Sequence, residues 1–176
     1  MKSILAIPSS RRHSEFLAAV VRSRKLHGRW VSPPRTVKAY AKYLKRFDLP
    51  AHTGYWILTE TNEIAGVVNI NEIVRGSFRS GYLGYYVFVP HNGHGYMTAG
   101  LRAVVSRAFR SLRLHRLEAN IQPGNEKSRH LVQRLGFKLE GFSPRYLRIA
   151  GKWRDHERWA LTAEDWTQIL RARSDQ

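Results

Sequence analysis

Two glycines, Gly93 and Gly95, lie between an apolar segment that ends at Pro90 and a helical pattern that begins at Met97. Main-chain N–H groups at the start of a helix have no partner within the helix, and the helix dipole places partial positive charge there. Because glycine has no Cβ, an anion can approach the main chain closely at both positions. The turn therefore predicts a phosphate-binding site.

The kind of phosphate ligand is narrowed by what the turn lacks. A dinucleotide-binding fingerprint needs a third glycine where this chain has Thr98, and the Gly-Lys-Ser/Thr of a P-loop is missing from the sequence. An ordinary strand-to-helix turn is the alternative, since short glycine motifs also occur without a ligand.

A second motif follows the next predicted strand. Asn125 is a favourable N-cap residue, Ser128 stands three residues later, and Gly136 is placed to end a short helix. The spacing predicts a helix with the asparagine and the serine in its first turn.

These two segments together resemble the GNAT acetyltransferase superfamily. The turn is similar to the family's acetyl-CoA pyrophosphate loop, Arg/Gln-x-x-Gly-x-Gly/Ala, with Asn92 where Arg or Gln is usual and Met97 where a small residue is usual. The second motif is similar to the family's Asn-x-x-Ser…Leu-Gly-Phe segment. Further segments resemble the RimJ/RimL branch of ribosomal-protein N-terminal acetyltransferases, and the RimJ type most: 73–78 with 82–85, 114–116, and 146–156 with 160–162.

The resemblance implies an acetyl-CoA-dependent N-acetyltransferase in which an amine attacks the thioester directly, without a covalent enzyme intermediate. It implies a mixed, mostly antiparallel sheet that splays at its central strand, where a main-chain N–H would stabilise the oxyanion. The residues expected to bind acetyl-CoA are Val87, Phe88, Val89, Asn92, Gly93, His94, Gly95, Tyr96, Met97, Thr98, Asn125 and Ser128.

Ser128 is the residue expected to protonate the leaving thiolate, as a serine or tyrosine hydroxyl does in similar enzymes. A serine that merely caps the first helical turn is the alternative. Asn125 likewise could contact the pantetheine arm, cap the helix, or do both.

Three carboxylates are candidates for a general base: Glu72, Glu118 and Glu140. We prefer Glu72, because it ends a strand that borders the expected acceptor cleft. The region where a RimL-type enzyme has a glutamate holds Arg145 and Tyr146 here, which leaves the base open. A protein α-amine has a pKa near ~8, so little base catalysis is required.

Other chemistries are disfavoured. The chain has no cysteine, which excludes a cysteinyl intermediate. His91 and His94 share a loop without nearby cysteine or carboxylate, a poor ligand set for zinc, so no metal is expected.

The charge points to a polyanionic partner. Thirty Lys+Arg against thirteen Asp+Glu give a net charge of +17, which favours RNA or acidic surfaces. Lys38, Lys42, Lys45 and Arg46 recur at helical spacing and predict one basic helix face, expected to meet ribosomal RNA or the ribosome surface. Scattered cations that keep a protein soluble are the alternative.

The 176 residues are expected to form a single domain, 1–176. The apolar runs are too short for a signal-peptide core or a membrane span, so a cytoplasmic protein without a membrane partner is expected. Hydrophobic periodicity predicts strands at 4–7, 55–59, 64–70, 82–89, 117–121, 137–141, 146–149 and 158–161, and helices at 14–25, from 33–34 through 44, at 97–112 and from 126. This order predicts an α/β sandwich with a mixed sheet.

Three functional hypotheses follow. The leading one is acetylation of a protein N-terminus, with a ribosomal protein as the acceptor. The second keeps acetyl-CoA but changes the acceptor to an aminoacyl-tRNA or a small amine. The third is a catalytically idle fold that binds RNA or the ribosome, and it is favoured by Asn92 and Met97 in the loop.

Overall fold

The computed structural model describes residues 4–174 and contains a seven-stranded mixed sheet flanked by helices. The strands are β1 (Ile4–Ala6), β2 (Thr53–Leu58), β3 (Ile64–Val74), β4 (Ser80–Val87), β5 (Arg116–Ile121), β6 (Lys138–Ile149) and β7 (Lys152–Thr162). The helices are α1 (His13–Arg22), α2 (Arg24–His27), α3 (Val37–Lys45), α4 (Tyr96–Arg110), α5 (Glu126–Arg134) and α6 (Ala163–Ser174). The strand order is β1-β2-β3-β4-β5-β7-β6, and only β4 and β5 run parallel.

The central strands are apolar on both sides because helices cover both faces of the sheet. In β2, Tyr55 and Ile57 pack with α4 on one face, whereas Trp56 and Leu58 pack with α1 and α3 on the other. Successive side chains of a strand point to opposite faces, so a continuous apolar run is what burial of both faces requires. The predicted α/β class with a mixed sheet is confirmed.

The sheet opens between its two parallel strands. Pairing of β4 with β5 runs from Ser80 opposite Arg116 to Leu83 opposite Ala119 and stops there. Strand β4 continues to Val87 along β3 alone, so the rest of β4 borders a gap instead of a neighbouring strand. This confirms the predicted splay at the central strand.

Two predicted helices have different boundaries. The helix predicted from Pro33–Pro34 begins only at Val37, because Thr36 is extended and its Oγ1 accepts a hydrogen bond from the N–H of Ala39 at 3.2 Å. Val37 and Ala41, predicted to face inward, are exposed, while Tyr40 and Tyr43 are buried. The helix predicted at 14–25 is interrupted at Ser23, which separates α1 from α2.

The C-terminal part also differs from the prediction. The two strands expected near 137–141 and 146–149 form one long strand, β6, with register shifts after Leu139 and Ser143 against β7. Helix α6 was not predicted, although its Trp166 is buried in the main core. Its sequence is rich in charged residues, which weakens the periodic signal.

Candidate functional site

The main chain of β4 offers hydrogen-bonding groups to the gap. The N–H of Phe88 donates to the carbonyl of Ala65 at 2.8 Å. Bonded and non-bonded pairs alternate along an antiparallel ladder, so the main-chain groups of Tyr85 and Val87 point away from β3. Because β5 has diverged at this level, those groups face the gap.

This geometry narrows the prediction that Val87, Phe88 or Val89 supplies an oxyanion donor. The N–H of Phe88 is occupied by Ala65, and the N–H of Val89 donates to Ser23 Oγ at 2.9 Å. The carbonyl of Val87 accepts from His27 Nε2 at 2.9 Å, which leaves the N–H of Val87 as the donor that faces the gap. Burial lowers the pKa of His27, in keeping with a neutral imidazole that donates through Nε2.

A hydroxyl pair bridges the gap. Tyr85 Oη lies 2.6 Å from Ser128 Oγ, so the serine hydroxyl contacts the tyrosine and does not cap its helix. Burial raises the pKa of Tyr85 far above its ordinary value, so this phenol keeps its proton. Asn125 is the N-cap: its Oδ1 accepts from the N–H of Ser128 at 3.3 Å and fixes the first turn of α5.

A cavity of about 420 Å³ surrounds this hydroxyl pair. The wall formed by β3, β4 and the segment after α2 is contributed by Trp30, Val31, Asn71, Glu72, Tyr82, Leu83, Gly84 and Tyr85. The opposite wall is contributed by Asn120, Ile121, Gln122, Asn125, Ser128, Tyr146, Leu147, Ile149 and His156. The cavity therefore joins the gap to the β6–β7 hairpin.

Both glycines of the turn have a left-handed backbone conformation. Gly93 and Gly95 have φ values of 85° and 81°, and a Cβ added at either would meet open space. Helix α4 begins at Tyr96 without a side-chain cap, so the N–H groups of its first turn, those of Tyr96, Met97 and Thr98, have no acceptor within the helix. A positively polarised, open cradle results.

Met97 does not block this cradle. A Cβ built on Gly66 of β3 would lie 2.7 Å from Met97 Sδ, so the methionine occupies the space that Gly66 leaves. Met97 packs against the main core and not over the turn.

The other residues of the loop make contacts with one another and with Glu60. Asn92 is half-buried, and its carbonyl lies 3.1 Å from His94 Nδ1. The ring of His91 lies edge-on to Tyr96, with centroids 5.8 Å apart, and Tyr96 Oη donates to Glu60 Oε2 at 2.9 Å.

The three candidate bases differ in their surroundings. Glu72 lies at the cavity rim with its side chain 70% exposed, and its Oε1 is 3.8 Å from His52 Nε2. Glu118 Oε1 accepts from Arg116 Nε at 2.8 Å, and the same guanidinium binds Glu140. The hydrogen bond from Arg116 lowers the pKa of Glu140, which makes that carboxylate a weak base.

The predicted basic face loses one member. Lys38, Lys42 and Lys45 are exposed, but the guanidinium of Arg46 turns toward the sheet and donates to Asn71 Oδ1. The prediction was wrong for Arg46 because α3 gives way to a 3₁₀ turn at that residue, which ends the helical spacing. We call the remaining three residues the lysine face.

Metal sites and membrane-spanning helices were searched for among the residues that the structure describes. Residues 4–174 contain no group of three or more His, Cys, Asp or Glu side chains placed to hold a metal ion. Within the same range, no helix combines the length and the apolar composition that a membrane span needs.

Several cavity residues were missed by sequence reasoning. Tyr85 was not separated from the other tyrosines of its strand, although side-chain alternation puts it on the face opposite to Tyr82 and Tyr86. Asn120 lies in no motif, and His156 was noted only as the last residue of the segment 146–156, without a role. The pairing of β5 with β7 brings these two strands together at the cavity.

Comparisons with known proteins identify the family of the chain. Residues 6–138 match the family described as Acetyltransferase (GNAT) domain. An Escherichia coli (strain K12) protein named ribosomal protein uS5-alanine N-acetyltransferase is 44% identical over 108 residues, which are 61% of this chain and 56% of that protein. The match thus spans little more than half of that relative's length. A Bacillus subtilis (strain 168) protein named "Probable N-acetyltransferase YjcK" is 33% identical over 129 residues, 73% of this chain and 71% of that protein.

Solved structures share the whole fold. Mycobacterium smegmatis RimJ in complex with CoA-disulfide has a TM-score of 0.84 at 25% identity, covering 96% of this chain and 88% of that chain. Spermidine N-acetyltransferase from Vibrio cholerae, in complex with CoA and spermine, has a TM-score of 0.80 at 17% identity, with 94% of this chain and 98% of that chain covered. At that identity, the second similarity concerns the fold alone.

Proposed function

The chain belongs to the GNAT acetyltransferase family, and from this premise we propose that it transfers the acetyl group of acetyl-CoA to the N-terminal α-amine of a protein, with a ribosomal protein as the acceptor. The observation that carries the proposal is the Tyr85–Ser128 hydroxyl pair, which lies in a cavity where the sheet opens. A leaving thiolate needs a nearby proton donor, and this pair of hydroxyls could supply one.

Acetyl-CoA would bind through main-chain groups. Its pyrophosphate fits the turn between Gly93 and Thr98, where N–H groups and the dipole of α4 attract negative charge. The amides of its pantetheine arm fit the gap, where they would pair with the main chain of Tyr85 as a neighbouring strand does.

The reaction then follows from the groups in the gap. The neutral amine forms a bond to the thioester carbon, and the oxyanion is stabilised by the N–H of Val87. Ser128 donates its proton to the sulfur as the C–S bond breaks, and Tyr85 donates to Ser128 in turn. No step passes through a covalent enzyme intermediate.

The charge of the protein and the name of a relative both favour a protein α-amine as the acceptor. The E. coli relative is named for an alanine of ribosomal protein uS5. Among the described residues that line the cavity, Glu72 is the one acidic side chain, and the chain carries a net charge of +17. A polyamine with several positive charges is therefore a poorer match than a single α-amine at the end of a peptide.

A direct test uses peptides, acetyl-CoA and mass spectrometry. We expect a peptide that begins with alanine to be acetylated at its α-amine, and expect no product from the same peptide with a blocked N-terminus and an internal lysine. Spermidine and an aminoacyl-tRNA are the competing acceptors. A higher kcat/KM with either competitor would reassign the acceptor, and no product with any of them would favour an idle fold.

The lysine face carries a separate prediction about docking. Lys38, Lys42 and Lys45 are exposed, and no ion pair is found for them among residues 4–174. We propose that they bind ribosomal RNA near the acceptor. Reversing all three to Glu should flatten the log–log dependence of ribosome binding on salt by about 2 to 3, since each lost phosphate contact reduces the slope by about 0.7 to 0.9.

The control variant reverses three other exposed cations, Arg110, Arg134 and Arg171. Both variants change the net charge equally, from +17 to 17 − 6 = +11. Acetylation of a free peptide should be unaffected by the lysine changes. Equal flattening of the slope in both variants would mean that net charge, not the lysine face, attracts the ribosome.

A further inference from the structure

The gap holds a proton donor for the thiolate, but the attacking amine must also lose a proton. The carboxylates suggested by the sequence are poorly suited to accept it. Glu118 and Glu140 are ion-paired with Arg116, and Glu72 is exposed at the rim. A base inside the cavity would have to be another group.

His156 of β7 is such a group. Its side chain is 2% exposed and lines the cavity. Its Nδ1 lies 2.9 Å from the carbonyl of Arg154. A carbonyl only accepts hydrogen bonds, so Nδ1 carries the proton and Nε2 carries the lone pair. Among residues 4–174, no hydrogen bond is found for Nε2, and His156 is one of the residues that line the cavity.

Sheet pairing places His156 on the face of the sheet away from α5. Ile121 of β5 lies opposite Glu157 of β7, and Trp159 packs in the main core, so those side chains point toward α5. His156 alternates with them and points to the other face of the sheet. Tyr85 packs against the main core, on the α5 side. His156 and Tyr85 therefore lie on opposite faces of the sheet and line the same cavity.

The groups around His156 favour a neutral imidazole. Tyr146 of β6 has its ring centroid 6.3 Å away, Tyr82 and Tyr85 of β4 and Glu72 at the rim share the cavity, and Arg154, Asp155 and Arg158 are its neighbours on β7. Burial lowers the pKa of His156, against smaller raising effects from the Arg154 hydrogen bond and the charge of Asp155. The imidazole of His156 is therefore uncharged at neutral pH and becomes charged only at lower pH.

Resting on the proposed function, we propose that His156 is the general base for acetyl transfer. The bound ammonium first gives one proton to His156 Nε2, which releases it to solvent. The neutral amine nitrogen then forms its bond to the thioester carbon and gives a second proton to His156 Nε2. The C–S bond breaks, the sulfur takes a proton from Ser128, and one proton returns from His156 to Ser128 through water. Of the two protons that leave the nitrogen, one has gone to solvent and one to sulfur.

The test is the dependence of kcat/KM on pH with a peptide that begins with alanine. The wild-type protein can bind the ammonium form, so kcat/KM stays level until pH falls through the lowered pKa of His156. The His156→Gln variant can use only the free amine form of the peptide, because it has no base to deprotonate the ammonium form. The pKa of the α-amine is ~8, so kcat/KM of the variant should fall about tenfold per pH unit below that value. The expected loss is about tenfold at pH 7.

Folding and the rival base are checked in the same experiment. His156→Asn retains an amide N–H for the carbonyl of Arg154, and both variants should still be stabilised by acetyl-CoA. A profile parallel to that of the wild type, the loss of acetyl-CoA stabilisation in both variants, or the same change of slope in Glu72→Gln would each overturn the proposal. A wild-type protein that binds acetyl-CoA but acetylates no α-amine at any pH would instead defeat the proposed function itself.

Discussion

Replacing Gly95 with valine should abolish the stabilisation of the protein by acetyl-CoA. Gly95 has a φ of 81°, and its absent Cβ leaves the space that a pyrophosphate would fill. At acetyl-CoA a hundredfold above its Kd, mass action should stabilise the wild-type protein by about 2.7 kcal/mol, which corresponds to a rise in Tm of about 5 to 10 °C for a chain of this size. Differential scanning fluorimetry with and without acetyl-CoA measures this rise.

The control for backbone strain is Gly76→Val. Gly76 also has a positive φ, 65°, and open space at its Cβ, but it lies in the β3–β4 turn outside the cradle. Both variants should lose some intrinsic stability, on the order of 1–3 kcal/mol from a strained φ. Only Gly95→Val should lose the response to acetyl-CoA. If it keeps the full rise in Tm, the pyrophosphate does not bind at this turn.

Ser128→Ala should reduce kcat by about ten- to a hundredfold while acetyl-CoA affinity stays roughly unchanged, because a proton delivered to sulfur matters in the transition state. Tyr85 remains, but the substitution removes the hydroxyl it contacts at 2.6 Å. Single-turnover kinetics, under conditions in which chemistry limits the rate, give the effect directly.

Ser106→Ala is the matched control for this substitution. Ser106 is also a helical serine, and its Oγ accepts from Trp166 Nε1 at 3.2 Å, outside the cavity. It should lower stability without lowering kcat. An unchanged kcat in Ser128→Ala would leave Ser128 a purely structural partner of Tyr85.

Hydrophobic periodicity was sufficient to predict a helix or strand where one or both of its faces are buried along its length. Helix α4 was predicted because Leu101, Val104, Val105 and Ala108 repeat at helical spacing, and all four are buried. The glycine turn was predicted because its residues are contiguous. Its role in binding acetyl-CoA stays a prediction.

Features that depend on tertiary contacts could not be predicted in the same way. The side chain of Arg46 donates a hydrogen bond to Asn71, a residue of β3 that is distant in sequence. The position of His156 follows from the order of β5, β7 and β6, which no local pattern encodes. The preference for Glu72 as the base came from its position at a strand end, and it could not weigh the exposure that the fold gives that side chain.

The two hydrogen bonds from the α1–α2 junction to the end of β4 have a thermodynamic consequence. Ser23 Oγ holds the N–H of Val89, and His27 Nε2 holds the carbonyl of Val87, so the helical layer and the strand that borders the gap are fastened together. A ligand that orders one of them lowers the entropy cost of ordering the other. Coupling between two binding sites is reciprocal. If bound acetyl-CoA raises the affinity for the acceptor by some factor, the bound acceptor raises the affinity for acetyl-CoA by the same factor. We therefore expect acetyl-CoA and the acceptor to bind with positive cooperativity, which titration of one substrate at fixed concentrations of the other would measure.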